Sequence, residues 1–208
     1  MTINTTHKQK FFMHTKPLVI VLFGAPGSGK GTQAKKFAEE NGFIHFSTGD
    51  FIRDQIEKQT EFGLLTKELS AQGKYVPEEI FLPAIEKELD SLFAMNKPLI
   101  LDGIPRTLVQ CDWLTGYLSR SDLKVSLAIE LKVSNETIVK RLTSRAEKEN
   151  RPDDKDLAVI QTRIRTYEEK TATVLRDFYP HIYLSIDGEK PMDEVSEVLS
   201  EVLKESII

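Results

Sequence analysis

Gly24-Ala25-Pro26-Gly27-Ser28-Gly29-Lys30-Gly31-Thr32 is the stretch whose residue types and spacing most directly imply chemistry. It has the form G-x-x-x-x-G-K, entered from Val19-Ile20-Val21-Leu22-Phe23 and left through Gln33-Ala34-Lys35-Lys36-Phe37-Ala38. An apolar strand, a glycine-rich turn and a helix start are the context in which that spacing cradles phosphate. Gly24, Gly27 and Gly29 can take the positive φ angles that let successive backbone N–H groups wrap an anion. The helix N-terminus contributes its dipole, and Lys30 a mobile charge for the outer phosphates. Where such loops usually carry Ser or Thr after the lysine to touch Mg²⁺, this chain has Gly31 and then Thr32. A plain strand-to-helix turn is the alternative, and the strand and helix flanks argue against it.

Three further clusters carry candidate chemistry. Ser47-Thr48-Gly49-Asp50 precedes Arg53, which lies one helical turn further on and can point its fork back toward the strand end. Helix capping by Ser47, Thr48 or Asp50 is a structural role that holds in any case. The second cluster is Leu99-Ile100-Leu101-Asp102-Gly103-Ile104-Pro105-Arg106-Thr107. An apolar strand that delivers an aspartate beside a phosphate loop is a Walker B arrangement, its carboxylate accepting from water around Mg²⁺. An Asp-Gly turn would account for Asp102-Gly103 but leaves Pro105-Arg106 unexplained. Arg106 falls where open α/β sheets bind ligands. The third cluster is Arg141, Arg145, Arg151 and Arg163, bracketing a polar loop without glycine. Guanidinium forks match phosphate oxygens in bidentate fashion. Surface ion pairs, Arg141 with Glu149 or Arg163 with Glu168, are the plainer account of any one of them. Asp153-Asp154 reads as a brace for these arginines or as part of the cap near Asp156, rather than as an acid–base pair.

These residues need a scaffold, and the hydrophobic pattern supplies one. Short apolar runs at 18–23, 44–47, 99–101, 127–131 and 182–186 alternate with helical patterns, the rhythm of a parallel sheet with crossover helices. Helices are expected from the loop to about Glu40 with Asn41-Gly42 as the cap, and at 50–58 and 62–72. Others are expected from Pro77 with a bend at Pro83, and at 108–119, 135–145, 157–178 and 192–204. Two stretches, 48–76 and 146–154, interrupt the alternation and read as insertions of the kind that clamp and cover substrates.

Composition narrows the classes. The 208 residues suit one domain, and 40% hydrophobic with 29% charged residues is ordinary for a globular protein. A net charge of −4 argues against a nucleic-acid binder. Cys111 is the only cysteine, which leaves no intrachain disulfide and fits a reducing cytoplasmic setting. No apolar run approaches a membrane span. The histidines His7, His14, His45 and His181 make no ligand spacing with Cys111, so no zinc site is expected. Residues 1–16 are polar and threonine-rich and read as a loose extension before a single domain over 17–208.

With these motifs quoted, the chain resembles the adenylate kinases of the nucleoside monophosphate kinase family from about Pro17 onward. Gly24 to Thr32, Ser47-Thr48-Gly49-Asp50 with Arg53, and Gly73-Lys74-Tyr75-Val76-Pro77 carry the resemblance. Asp102-Gly103-Ile104-Pro105-Arg106-Thr107 with Gln110, and Arg145 through Arg151-Pro152-Asp153-Asp154 to Arg163, complete it. Gly31 after the lysine is itself a habit of that family. The resemblance implies an α/β, three-layer P-loop fold with a five-stranded parallel sheet, a small monophosphate-binding arm at about 48–76 and a short lid at about 146–154. It implies a monomer that moves the γ-phosphoryl of MgATP to AMP, reversibly, giving two ADP, with no nucleic acid or membrane partner.

Residue by residue, the resemblance gives Gly24, Ala25, Pro26, Gly27, Ser28, Gly29, Lys30, Gly31, Thr32, Arg141 and Arg145 to ATP. It gives Thr48, Arg53, Val76, Gly103, Arg106, Gln110, Arg151 and Arg163 to AMP. Lys30, Arg106, Arg145, Arg151 and Arg163 surround the transferring group, and Asp102 organises Mg²⁺ through water. The helix ahead of Arg163 is one residue longer than the family pattern, which makes Arg165 the alternative to it. Ile104 and Tyr75 depart from the usual aromatic and leucine, and both are expected to line the AMP pocket. UMP or CMP as acceptor is therefore the alternative function, and a non-catalytic nucleotide sensor a more distant one.

Overall fold

The computed structural model describes residues 16–149 and 154–205. The expected 1–16 extension, apart from Lys16, lies outside the described residues, as do 150–153 of the expected lid with Arg151. Five strands form one all-parallel sheet: β1 Val19–Gly24, β2 Ile44–Ser47, β3 Leu99–Asp102, β4 Val125–Lys132 and β5 Tyr183–Asp187, in the order β2-β3-β1-β4-β5. Each corresponds to an apolar run read from the sequence, shifted by a residue or two at its ends.

The inner strands β1, β3 and β4 are buried on both faces because helices cover both. On β1, Val19, Val21 and Phe23 pack into one core, and Ile20 and Leu22 into another. Leu99 and Leu101 of β3 join the first core and Ile100 the second. This period-two division produces three layers. The second core is closed by α1 Lys30–Asn41, through Ala34, Phe37 and Ala38, and by α9 Met192–Glu205, through Val195, Leu199 and Leu203. The first is closed by α4 Glu78–Phe93, α5 Leu108–Ser119, α6 Asn135–Glu149, α7 Leu157–Tyr167 and α8 Thr173–Phe178. Between β2 and β3 the chain adds the helix pair α2 Thr48–Glu57 and α3 Glu61–Ala71.

Local chemistry sets the helix ends. The hydroxyls of Ser47, Thr60 and Thr107 accept from Asp50 N, Gly63 N and Gln110 N, and the Asp156 carboxylate accepts from Ala158 N. Gly42, left-handed at φ 76°, closes α1 as expected. Three helix expectations change. Pro77 is the cap residue of α4 rather than its first residue, and the helix continues through Pro83. Helix α6 runs on to Glu149, so the first part of the segment expected to form a lid is helical. The single helix expected over 157–178 is interrupted by a π-helical turn, Glu168–Ala172, between α7 and α8.

The register of the first core sorts the residues of α5. Leu114 is fully buried, whereas Leu108 is 55% exposed. Leu114→Ala is expected to cost about 3 kcal/mol and Leu108→Ala under about 0.5 kcal/mol, as read from urea unfolding midpoints.

Candidate active site

The order β3-β1-β4 places the turn after β1 where the chain's connections depart to opposite sides of the sheet, the crevice in which open α/β sheets bind ligands. Gly24, Gly27 and Gly29 have φ of 152°, 80° and 95°, the conformations that the loop reading required. Helix α1 begins at Lys30, so its first amides face the same turn. Two backbone carbonyls, Ser28 O and Gly188 O, accept from the Arg141 guanidinium at 3.1 and 2.8 Å, which ties α6 to the loop. Arg141 is thus bound to the loop. Ser28 Oγ is buried without a hydrogen-bond partner. Gly24, Pro26 and Lys30 line the cleft above the loop, while Thr32 is exposed at the head of α1.

Lys30 Nζ lies 3.3 Å from Ala25 O. Burial pulls its ammonium down to about 8; the Asp102 carboxylate opposes that fall, and the Arg106, Arg163 and Arg145 charges add to it. Asp102 ends β3 and is 5% exposed. Burial works against its charge, yet the hydrogen bond from His45 and the Lys30 charge hold its carboxyl below the ordinary value. His45 Nε2 is 3.3 Å from Asp102 Oδ2. A Cβ on Gly31 would stand 3.2 Å from that same carboxylate oxygen. The glycine at this position therefore leaves the space that Asp102 occupies. A single ionised carboxylate at a strand end beside a phosphate loop fits Mg²⁺, which is commonly held by one or two carboxylates together with substrate phosphates.

The other half of the cleft is built from the start and return of the helix pair and from the turn after β3. Thr48 is buried, and its hydroxyl donates to Gly103 O at 3.1 Å. Arg106 Nε donates to Gly103 O at 2.5 Å, and its backbone N–H to Gln110 Oε1 at 2.8 Å. Arg53 pairs with Asp50 one turn back and lines the same cleft. Val76, Gly103 and Gln110 also line it. Tyr75 lines it as expected, with the Arg106 guanidinium 5.1 Å from its ring centroid. Ile104 does not: it is fully buried in the first core. Packing in that core takes its side chain out of the cleft, which corrects the expectation that both departures line the AMP pocket.

Asp154 is 2% exposed and joins two arginines. Arg145 approaches it bidentately, Nε to Oδ2 at 2.6 Å and Nη2 to Oδ1 at 3.0 Å, and Arg163 Nη1 reaches Oδ1 at 2.6 Å. Asp154 thus makes the brace read from Asp153-Asp154, while Asp153 lies outside the described residues. Arg163 lines the cleft, while Arg165 is exposed. Lys30, Arg53, Arg106 and Arg163 thus reach one cleft from four separate segments. Arg141 and Arg145 stand behind it, on the loop and on Asp154.

Some contributors carried no usable signal in the sequence. Thr171 lines the cleft from the π turn. Tyr167 shares a face with Arg163, but its hydrogen bond to the buried Glu130, 2.7 Å, spans 37 residues and has no local signature. His45 was visible only as a non-ligand. Among the described residues, no group of three or more His, Cys, Asp or Glu side chains is placed to hold a metal ion, and no helix is long and apolar enough to cross a membrane.

Residues 22–183 match the family described as Adenylate kinase. The adenylate kinase of Flavobacterium psychrophilum is 37% identical over 186 residues, covering 88% of this chain and 97% of that protein. Those of Phocaeicola vulgatus and Corynebacterium urealyticum are each 38% identical, over 180 and 178 residues, covering 86% of this chain and 94% of theirs.

Two measurements test the electrostatics. In a lysine-resolved NMR titration Lys30 should titrate near 8 in the free protein and move upward when ATP is added. Because the folded value lies below the ordinary 10.5, this group costs stability below about pH 8, and the cost fades as pH rises toward 10.5. Asp154→Asn should destabilise by about 3 kcal/mol in denaturant unfolding, since two largely buried guanidinium groups lose their shared carboxylate.

Proposed function

This chain belongs to the adenylate kinase family, and from that premise we propose how its cleft carries out ATP:AMP phosphotransfer. The enzyme moves a phosphoryl group from ATP to AMP and, in reverse, between two ADP molecules. The observation that supports the assignment of parts is the convergence of Lys30, Arg53, Arg106 and Arg163 on one cleft from four segments.

In this reading the amides of residues 24–32 and Lys30 hold the ATP phosphates, with Arg141 and Arg145 on that side. Thr48, Arg53, Val76, Gly103, Arg106 and Gln110 hold AMP. Arg163, and Arg151 by its place in the sequence, reach the acceptor phosphate and the transferring group. Asp102 holds Mg²⁺ through water. When bound, that ion would offset the charge of the phosphates.

The AMP phosphate is already an anionic nucleophile, so no side chain has to remove a proton. What the protein supplies is in-line alignment of two nucleotides and positive charge around the equatorial oxygens. A mobile ammonium at Lys30 can follow the moving group. The guanidinium groups are fixed in direction by Gly103 O and by Asp154. Water in the cleft would divert the phosphoryl to hydrolysis, so segments 48–76 and 146–154 act as an arm and a lid that close over both nucleotides. We place the protein in the cytoplasm as a monomer, consistent with its one buried cysteine.

An acceptor survey tests the assignment. With ATP present, AMP should give ADP in a coupled assay, and UMP and CMP far less. No ADP from AMP would overturn it, as would a protein that binds nucleotides tightly without transfer. Lys30→Met and Arg106→Ala should each lower kcat/KM by about 10²–10³ while the melting temperature changes little. Normal turnover in either variant would remove that residue from its role.

A further inference from the structure

Tyr75 sits where the chain returns from the helix pair to the core, half-buried at the edge of the cleft. It makes two contacts that leucine could not. Its ring faces the Arg106 guanidinium at 5.1 Å, and its hydroxyl lies 2.9 Å from Thr171 Oγ1. Thr171 is 2% exposed and also lies 3.0 Å from Arg106 O, to which its only hydroxyl proton goes. The Tyr75 hydroxyl must then be the donor to Thr171. The result is a directed chain: Tyr75 O–H to Thr171, and Thr171 O–H to the Arg106 carbonyl. Arg106 is accordingly held at both ends. Its backbone is fixed by Gln110 and Thr171, and its guanidinium by Gly103 O at Nε, with Cζ over the Tyr75 ring.

We propose that Tyr75 is a positioning residue for Arg106, its ring fixing the plane of the guanidinium and its hydroxyl fastening the return of the arm to Thr171 in the π turn. This rests on the kinase reading, in which Arg106 holds the AMP phosphate. A guanidinium offers its paired N–H donors only in its own plane, so fixing that plane presets the direction from which the phosphate is met. The placement predicts an effect on AMP more than on ATP, because the two contacts described for Tyr75 are to Arg106 and Thr171 and not to the 24–32 loop. A stacked cation on an aromatic face is worth an amount that corresponds to severalfold in affinity.

Tyr75→Leu removes ring and hydroxyl together, and Tyr75→Phe and Thr171→Val each break only the hydroxyl chain. In Tyr75→Leu the AMP KM should rise about tenfold, with the ATP KM within about twofold and kcat within about threefold of the parent. Tyr75→Phe and Thr171→Val should each raise the AMP KM about threefold, and the double variant no further than either alone, since both cut the same chain. Melting curves confirm that each variant is folded, and calorimetric AMP affinities should follow the KM values. An unchanged AMP KM in Tyr75→Leu overturns the proposal, and so do equal shifts for AMP and ATP. Additive effects in the double variant, or an altered choice between AMP and CMP in Tyr75→Phe, also overturn it, the last by making the hydroxyl a direct contact to the base. If the parent protein itself makes no ADP from ATP and AMP, the kinase reading fails. Calorimetry on the same proteins still reports whether Tyr75 sets AMP affinity.

Discussion

The constraint on which the rest of this molecule depends is repulsion among cations that must share one cleft. Lys30, Arg106, Arg145 and Arg163 lie close enough that the three guanidinium groups help depress the Lys30 ammonium. Bringing them together with no anion between them is unfavourable, and more so away from water. The fold meets this by giving each cation an oxygen partner of its own. Arg106 has Gly103 O, Arg145 and Arg163 have Asp154, Arg53 has Asp50, and Lys30 feels Asp102. Each partner fixes a direction as well as offsetting charge. The cluster is thereby aimed inward at a space that a chain of phosphates would neutralise.

The partners come from elements that the sheet alone holds in common. Asp102 ends β3 and Gly103 follows it, the loop leaves the end of β1, and Thr48 follows β2 directly. Neighbouring parallel strands bring those three ends to one edge, and the buried faces of β1 and β3 hold the register. The lysine of the loop and the carboxylate that moderates it are therefore one strand apart by construction. Gly31 belongs to the same economy of space, because a side chain there would press on the Asp102 oxygen.

How much of this was legible in the sequence follows from how local each signal was. The loop from 24 to 32, the cap at Gly42 and the strand that ends in Asp102 are written in consecutive residues, and the structure has them within a residue or two. The one extra residue ahead of Arg163 leaves Arg165 as an alternative from the spacing alone; in the fold Arg163 lines the cleft and Arg165 is exposed. The role of Asp154 could be anticipated because aspartate among arginines has few other uses. Ile104 could not be placed, since whether a residue in a turn faces core or cleft depends on the helices packed behind it. Thr171 was invisible for a different reason. It is one threonine in a continuous helical pattern, and no residue type announces a wider turn. Arg151 belongs to the same arginine set by its motif, and it lies outside the described residues.

That wider turn has a consequence of its own. The buried residues Ile160, Ile164, Tyr167 and Thr171 follow one another at steps of four, three and four, whereas Leu175 and Tyr179 follow at two further steps of four, a wider spacing than an unbroken α-helix keeps on one face. One surplus residue is taken up between Glu168 and Ala172, so the azimuth of everything beyond it is set back by about one position. The segment before the turn can keep Arg163 toward the cleft while the segment after it keeps Leu175 in the first core. Two rotational settings that a single rigid rod could not satisfy at once coexist in one rod with a built-in phase shift. Deleting any one residue between 168 and 172 would erase that shift and force a choice between seating the hydrophobic side chains and aiming the arginine.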